Sequence, residues 1–446
     1  MTYIGTECEH PQVTSQRSPR TRAPALVAAA AVLAVSAAAC SSSQTSAVTH
    51  STLTVAAFNP FTGPDASFGP EMMAGCLTAA AEVNAAGGVL SNKVACSSVD
   101  TRGDPADAVT AAAKMLATTP HLLGVLGPSG DEADSTVPLI NAAKIPMFAD
   151  TGQASFDRTT LPYFWRMTPA DDVQGAAMAL YAKQKGYLRG AAVFGSDIGS
   201  QGSVPTLLKA YSALGGQIVL NQKIALNQAS YQPEVEQLIA AKPQVIFTEA
   251  SPQANATYFA ELQQLSHLIP VIGSDATLSQ TAWLSAMTAA IGKPALSKYF
   301  VGAIPYAPAS GPAWTVFNKY VLSTPGVTKP TSQWSSDSYS MVDYDGLIVM
   351  ALAATAAKST SPAVWNKFIP AVTTASSGAV PVHSYADGVA ELKAGKTIDY
   401  VGATGIIDWD RWHNSTGGFE VTGYQPNGST PLVATISAAN LEPLIK

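Results

Sequence analysis

Apolar runs of strand length alternate with amphipathic segments of helix length from Leu53 onward. The run TLTVAAFNP leads through a Gly/Pro loop into the segment PEMMAGCLTAAAEVNAAGG, which two glycines end. The run KVACSSVDT and the helical segment DPADAVTAAAKMLATT follow, and two more apolar runs complete this part. Near-continuous apolar strands separated by single helices are typical of a parallel sheet covered on both faces. The pattern predicts a doubly wound α/β lobe.

The same alternation starts again after residue 168. A helix over 171–185 precedes the strand GAAVFGSD, the loop IGSQGSVP and three further helix and strand pairs. Beyond them we read a Pro/Gly-rich connection, one long helix and a strand-rich tail that completes both lobes. The predicted fold class is α/β, with two doubly wound parallel-sheet lobes joined by a hinge. The expected boundaries are 52–168 plus about 305–405 for the first lobe and 169–304 plus about 406–446 for the second.

The N-terminal region carries an export pattern. Arg17, Arg20 and Arg22 precede an apolar stretch over 24–39 that ends in small residues directly before Cys40. This order predicts a signal peptide over residues 1–39. The cysteine after small residues resembles a bacterial lipobox, which implies diacylglyceryl transfer to Cys40; the alternative is an ordinary cleaved signal in which Cys40 is incidental.

The Ser/Thr-rich segment over 40–51 reads as a flexible tether behind the signal. A tethered, acylated chain would be extracytoplasmic and lipid-anchored to the cell membrane.

Composition and charge exclude several classes of protein. Only 13% of the 446 residues are charged, against about 25% in average proteins, yet 47% are hydrophobic, so the chain is not of the disordered class. The net charge is −6, and Lys and Arg cluster only near the N-terminus, so nucleic acid is not an expected partner. The long uncharged apolar run near the start is shorter than the roughly 20 residues of a spanning helix.

Two of the four cysteines remain if Cys8 is removed and Cys40 is acylated. These are Cys76, in a predicted helix, and Cys96, in the next predicted strand. Outside the cytoplasm they can form a disulfide, worth on the order of 3 kcal/mol for a loop of roughly 20 residues. The alternative is a pair of separate buried thiols. No histidine stands at ligand spacing, so we predict no metal site.

An ordered set of motifs resembles the type I periplasmic binding proteins of the branched-chain amino-acid transporter class. The opening contains Phe61-Thr62-Gly63-Pro64, Asn84-Ala85-Ala86-Gly87-Gly88 and Asp104-Pro105, and later stretches such as YDGLIVMALAA follow in the family's order. The resemblance implies a small-molecule ligand held between two lobes and passed to an ABC permease in the membrane. It implies no cofactor, no enzymatic activity and a monomer.

The resemblance also places pocket residues in the first lobe. Phe68 stands where the family has an aromatic wall, or it packs within its own lobe. Ser129 and Gly130 follow the third strand, where the family holds a ligand carboxylate with a hydroxyl and main-chain N–H groups; the alternative is a turn.

A departure from the family follows the fourth strand of the first lobe. The small-residue run of the family is replaced by Asp150-Thr151-Gly152-Gln153. Thr151 and Gln153 retain hydrogen-bond donors, whereas Asp150 would repel a ligand carboxylate unless it points elsewhere.

The second lobe contributes the remaining candidates. The family's loop tyrosine is missing, and Ser200 or Gln201 would replace it. Asp275 follows a strand where amino-acid binders place the partner of the ligand ammonium, or it caps a helix; Glu249, at another strand end, is a second candidate. With Asp150, these carboxylates favour a cationic or amine-bearing ligand.

Motifs of enzymes are missing from the sequence. We find no nucleophile elbow, no phosphate loop and no HExxH zinc motif, and the six histidines are scattered. The alternative function is a ligand-sensing receptor module on the same fold that signals to a membrane partner.

Overall fold

The computed structural model describes residues 51–63, 65–278, 281–415 and 417–445. The predicted signal peptide, Cys40, residues 40–50 of the tether and Pro64 lie outside the described residues. The first part of the chain forms β1 (Leu53–Asn59), α1 (Phe68–Ala85), β2 (Val94–Asp100), α2 (Pro105–Thr118), β3 (Leu122–Leu126), α3 (Ala133–Ala142), β4 (Met147–Ala149) and β5 (Phe164–Arg166).

The second part repeats the alternation, as the sequence predicts. It contains α4 (Asp171–Gln184), β6 (Arg189–Gly195), α5 (Ile198–Gly202), α6 (Val204–Ala213), β7 (Gln217–Ile224), α7 (Gln232–Ala241), β8 (Val245–Glu249), α8 (Pro252–Gln264), β9 (Val271–Gly273), α9 (Asp275–Leu278), α10 (Thr281–Ile291), α11 (Lys293–Tyr299) and β10 (Phe300–Pro305).

The last part of the chain is divided between the lobes. It contains α12 (Pro312–Ser323), α13 (Ser338–Ala356), α14 (Pro362–Trp365), α15 (Ile369–Thr373), β11 (Val380–Val382), α16 (Tyr385–Lys393), β12 (Ile398–Gly402), β13 (Gly405–Ile406), β14 (Phe419–Gly423), β15 (Leu432–Ile436) and α17 (Ala438–Ile445). Short 3₁₀ turns cover Ala154–Phe156, Thr331–Ser336 and Asn366–Phe368.

Two predicted irregular segments are in fact helical. The loop predicted after β6 begins with α5, because the Asp197 side chain caps it by accepting a hydrogen bond from the Ser200 N–H at 2.7 Å. The Pro/Gly-rich connection contains α12, which has Pro312 as its first residue, where the missing N–H costs no helix hydrogen bond.

Two separate sheets confirm the predicted fold class. The first has the order β2-β1-β3-β4-β5 and is parallel throughout. The second has the order β15-β14-β10-β9-β8-β6-β7, in which β14 runs antiparallel to both of its neighbours, β10 and β15. Its five sequential strands are parallel, so their carboxyl ends lie along one edge.

The long helix α13 forms the centre of the first lobe. Nearly all of its residues are buried, as expected for a helix that is apolar all round. It packs closely on α1, where a Cβ on Gly75 would lie 2.3 Å from the Ser340 carbonyl oxygen. A disulfide joins Cys76 of α1 to Cys96 of β2, with the Cα atoms 6.1 Å apart. The close approach at Gly75 fixes how α1 and α13, which are far apart in the chain, pack on each other.

The segment between β13 and β14 contacts the first lobe. The His413 ring stacks on Trp165 at 3.8 Å between centroids, and the Trp409 ring packs edge-on against the same residue. Burial lowers the pKa of His413, and its Nδ1 lies 3.0 Å from the Phe164 carbonyl oxygen. His413 is thus a packing residue at the surface of the first sheet. No helix among the described residues is long and apolar enough to cross a membrane.

Candidate functional site

The candidate site lies at the carboxyl ends of the parallel strands. In the first lobe the segments after β1, β3 and β4 reach this edge, and in the second lobe those after β6, β8 and β9 do so. Ligands of open α/β sheets bind outside the carboxyl ends of the strands. Every pocket residue predicted from the sequence ends or follows one of these six strands.

Tyr339 connects the predicted residues of the two lobes. Its ring packs edge-on against Phe68, with 5.5 Å between centroids. Its hydroxyl donates a hydrogen bond to the carboxylate of Asp275, which follows β9 in the second lobe. The Gln174 side-chain amide donates to the other Asp275 oxygen at 2.8 Å. The Phe68 ring and the Asp275 carboxylate are therefore both in contact with one tyrosine.

A second contact between the lobes involves Asp131. Its carboxylate accepts a hydrogen bond from the Gly199 N–H of α5 at 3.0 Å. Burial raises the pKa of Asp131, and so does the nearby charge of Asp197. Burial, with the charges of Asp131 and Asp197, also raises the pKa of Asp65 to about 6. Acidic groups thus lie on both sides of this contact.

Four carboxyl groups come together in the first lobe, and we call them the first-lobe carboxyl cluster: Glu71, Asp150, Asp337 and Asp343. Asp150 lies within hydrogen-bond reach of Asp343, and Glu71 within reach of Asp337. Burial raises the pKa of Asp150 to about 7. Burial and the Asp150 charge raise that of Asp343 well above its ordinary value. Two carboxyl groups within hydrogen-bond reach of each other favour retention of a proton by one of them.

The pKa values of Glu71 and Asp337 are raised as well. Burial raises the pKa of Glu71 well above its ordinary value, and the charge of Asp337 adds to the effect. Burial also raises the pKa of Asp337, although the Ser340 N–H, which donates to it at 2.6 Å, opposes the change. The cluster therefore combines buried acids from α1, the end of β4 and the start of α13.

Three further carboxyl groups face the site from the second lobe: Asp171, Glu249 and Asp275. Burial raises the pKa of Glu249, and the charges of Asp275 and Asp171 raise it further. Burial and the Asp275 charge raise the pKa of Asp171 to about 8, against the opposite effect of Arg166. The predicted carboxylates Glu249 and Asp275 are therefore close enough to act on one another.

The predicted carboxylate cradle after β3 has an acidic character. The Ser129 hydroxyl receives no hydrogen bond from the described residues, and the Gly130 carbonyl accepts one from the Gln153 amide at 3.1 Å. Asp131 and Glu132 follow directly and precede α3. Thr151 is buried, and its hydroxyl accepts a bond from the Gln153 N–H at 3.4 Å. An incoming carboxylate would meet negative charge at this loop.

The predicted loop residues of the second lobe lie in α5. Ser200 is buried, and its N–H is bonded to Asp197. The Gln201 side-chain amide donates to the Gly195 carbonyl at 2.6 Å. Both residues thus take part in holding the turn from β6 into α5.

Positive charge is scarce around these acids. Arg166 is fully buried, but its guanidinium donates to Asp157 at 2.8 Å and to the Gln153 carbonyl at 3.1 Å. In the described part of the chain, no group of three or more His, Cys, Asp or Glu side chains is arranged to hold a metal ion. The arrangement suits a cationic organic group that donates hydrogen bonds.

Sequence reasoning missed Tyr339, Glu71, Asp337, Asp343 and Asp171. One signal was available, since acidic side chains interrupt the otherwise apolar helix that contains Asp343. Buried charged groups in such a helix require partners or a function.

Comparison with known proteins agrees with this architecture. A family model described as periplasmic binding protein matches residues 52–423. A Leu/Ile/Val-binding protein of Rhizobium johnstonii is 25% identical over 255 residues, which cover 55% of this chain and 67% of that protein.

Solved structures share the fold at low sequence identity. The crystal structure of a leucine-binding protein from Thermotoga maritima has a TM-score of 0.69 at 19% identity and covers 86% of this chain and 99% of its own. A solute-binding protein of an ABC transporter from Rhodopseudomonas palustris, in complex with p-hydroxybenzoic acid, has a TM-score of 0.68 at 16% identity, with coverages of 87% and 97%. These two similar structures accommodate chemically different solutes.

Proposed function

The chain belongs to the periplasmic binding protein family, in the type I group related to branched-chain amino-acid transporters, and from that premise we propose that it captures an amine-bearing polar metabolite between its lobes and delivers it to an ABC permease. The proposed role involves no catalysis and no cofactor.

The contact of Asp275 across the lobes carries this proposal. Asp275 of the second lobe accepts a hydrogen bond from Tyr339 of the first lobe, beside Glu249 and Asp171. A ligand ammonium placed here would gain charge-assisted hydrogen bonds from a carboxylate that is partly buried. Amine binding therefore follows from the charge at this strand end.

Closure of the two lobes supplies the affinity in this proposal. Contacts such as those of Tyr339 with Asp275 and of Asp131 with Gly199 exist only when the lobes are together. A ligand that touches both lobes binds this closed state better and shifts the population toward it. The permease would then recognise the closed form.

Anchoring at the membrane is the second part of the proposal. Cys40 directly follows the predicted export signal over residues 1–39 and begins the Ser/Thr-rich segment. Acylation of Cys40 would hold the solute-binding lobes outside the cell, beside the permease. Release of the N-terminal signal would leave Cys40 as the first residue.

Calorimetric titration of the folded protein with a panel of amino acids and amines tests the proposal. We expect at least one amine-bearing compound to bind at sub-millimolar concentration. The Asp275→Asn variant should weaken that binding roughly tenfold or more, since the bond to a charged group is lost. Glu236→Gln, which removes an exposed charge from α7, is the matched control. The absence of any binder, with the fold intact, would contradict solute capture.

A further inference from the structure

The first-lobe carboxyl cluster contains buried acids that the fold leaves without donors. Both oxygens of Asp150, both of Asp343 and one of Glu71 receive no hydrogen bond from an amide, hydroxyl or cationic group of the described residues. The side chains within their reach are acids themselves, Asp343 for Asp150 and Asp337 for Glu71. Their exposed fractions are 5%, 1% and 6%. Buried carboxylates normally have hydrogen-bond partners, and leaving one without them is costly.

Other buried acids of the same lobe do have hydrogen-bond donors, so the lack of donors is specific to the cluster. Asp345 lies two residues from Asp343 on the same helix and accepts four hydrogen bonds, from Tyr400, Ala403 and twice from Thr404. Glu82 accepts from Tyr344 and from the Tyr385 N–H. The lobe therefore supplies donors to the carboxylates that hold its elements together, whereas Asp150 and Asp343 face only another acid.

Negative charges dominate the surroundings of the cluster. Asp150 faces Asp343; Glu71 faces Asp337, and the charges of Asp275 and Asp150 also raise its pKa. The described residues contain no cluster with metal-ligand geometry. A group that satisfies this cluster must bring both positive charge and several N–H donors, which is the chemistry of an alkylammonium or a guanidinium.

The cluster is continuous with the proposed ammonium position in the second lobe. Tyr339 follows Asp337 closely in the chain, and its hydroxyl is bonded to Asp275. The charges of Glu71, Asp150 and Asp275 all act on Tyr339. One small solute can therefore reach both sets of carboxyl groups at once.

We infer that the solute carries two cationic groups joined by a short aliphatic chain, one held by Asp275 and Glu249 and the other by Asp150 and Asp343. This inference rests on the proposed function and specifies its substrate class as a diamine or a similar dication. The two lobes then each neutralise one charge, so closure and recognition of the dication occur together.

Calorimetry with matched probes tests the inference on the wild-type protein. Putrescine has two ammonium groups, butylamine has one on the same carbon chain, and leucine is a zwitterion. At pH 7.5 we expect putrescine to bind roughly tenfold to a hundredfold more tightly than butylamine, since the second ammonium forms charge-assisted hydrogen bonds. Equal affinities for the two amines would overturn the inference.

The other outcomes separate the inference from the proposed function. Binding of leucine, without binding of putrescine, would refute the dication and leave solute capture standing. No binding by any probe or by the wider amino-acid and amine panel would refute both.

A double variant tests which residues hold the second cationic group of the solute. The double substitution Asp150→Asn and Asp343→Asn retains the shape of both side chains, and we expect it to bring the two amine affinities to within about threefold of each other. Glu236→Gln should leave their ratio as in the wild type. A preserved ratio in a folded double variant would overturn the assignment to these two residues. The probe comparison on the wild-type protein decides the dication itself even if this variant does not fold.

Discussion

Replacing Asp343 by Asn should stabilise the ligand-free protein at pH 8, although position 343 is buried. The Asp343 carboxyl faces Asp150, and Glu71 and Asp337 add further negative charge from α1 and from the start of α13. Neither carboxyl of the pair has another donor within reach in the described structure. An Asn amide at 343 would donate to the Asp150 carboxylate, as a protonated Asp343 does, but without a titrating charge of its own.

The sign follows from the pKa of Asp343, which burial and the charge of Asp150 raise well above its ordinary value. A pKa that is higher in the folded state gives stability that is full below the unfolded value and is lost as the pH rises to the folded value. The loss at Asp343 thus begins at about pH 4 and grows as the pH rises, and an Asn at this position, which does not titrate, avoids it. The variant should recover roughly 2 kcal/mol, on the scale of one hydrogen bond to a charged group, because Asp150 itself stays buried near Glu71.

Urea denaturation of both proteins at pH 5 and pH 8 measures this effect. We expect the free energy of unfolding of Asp343→Asn to exceed that of the wild type at pH 8. The difference should shrink toward zero at pH 5, where the wild-type pair retains its proton. Asp345→Asn is the matched control, since Asp345 is equally buried but accepts hydrogen bonds from Tyr400, Ala403 and Thr404. That variant should lose about 2 kcal/mol at pH 5, because an Asn cannot accept all of these hydrogen bonds. If Asp343→Asn destabilises the protein at pH 8 as much as the control does, the reasoning is refuted.

Three further changes test other parts of the structure. Tyr339→Phe removes the hydroxyl that donates to Asp275 and should weaken solute affinity roughly tenfold in calorimetry; an unchanged affinity would show that this bond does not assist closure. Replacing Cys76 and Cys96 by Ala should lower the free energy of unfolding by about 3 kcal/mol, with a reductant having a similar effect on the wild type only. Cys40→Ala should move the chain from the membrane to the soluble fraction of its host, and retention in the membrane would contradict acylation.

Sequence alone determined the alternation of strands and helices. Near-continuous apolar strands and amphipathic helices follow from local periodicity, and the order of motifs predicted the family that the comparison identifies. The local pattern predicts secondary structure less well where a single side-chain contact decides the conformation. The pattern predicts a loop where α5 lies, because the start of this helix depends on one side-chain cap by Asp197.

Strand ends could also be located from the sequence, and with them Phe68, Asp150, Glu249 and Asp275 as candidates. The partners of these residues could not be identified from the sequence, because parallel-sheet pairing brings together segments that no local pattern relates. The first-lobe carboxyl cluster joins the first turn of α1 to the start of α13, which lies far along the chain. A helix that is apolar on every side gives no periodic sign of which turn faces the site. Only tertiary packing, with α1 against α13, decided that Glu71 and Asp343 lie close to Asp150, and that Tyr339 reaches Asp275.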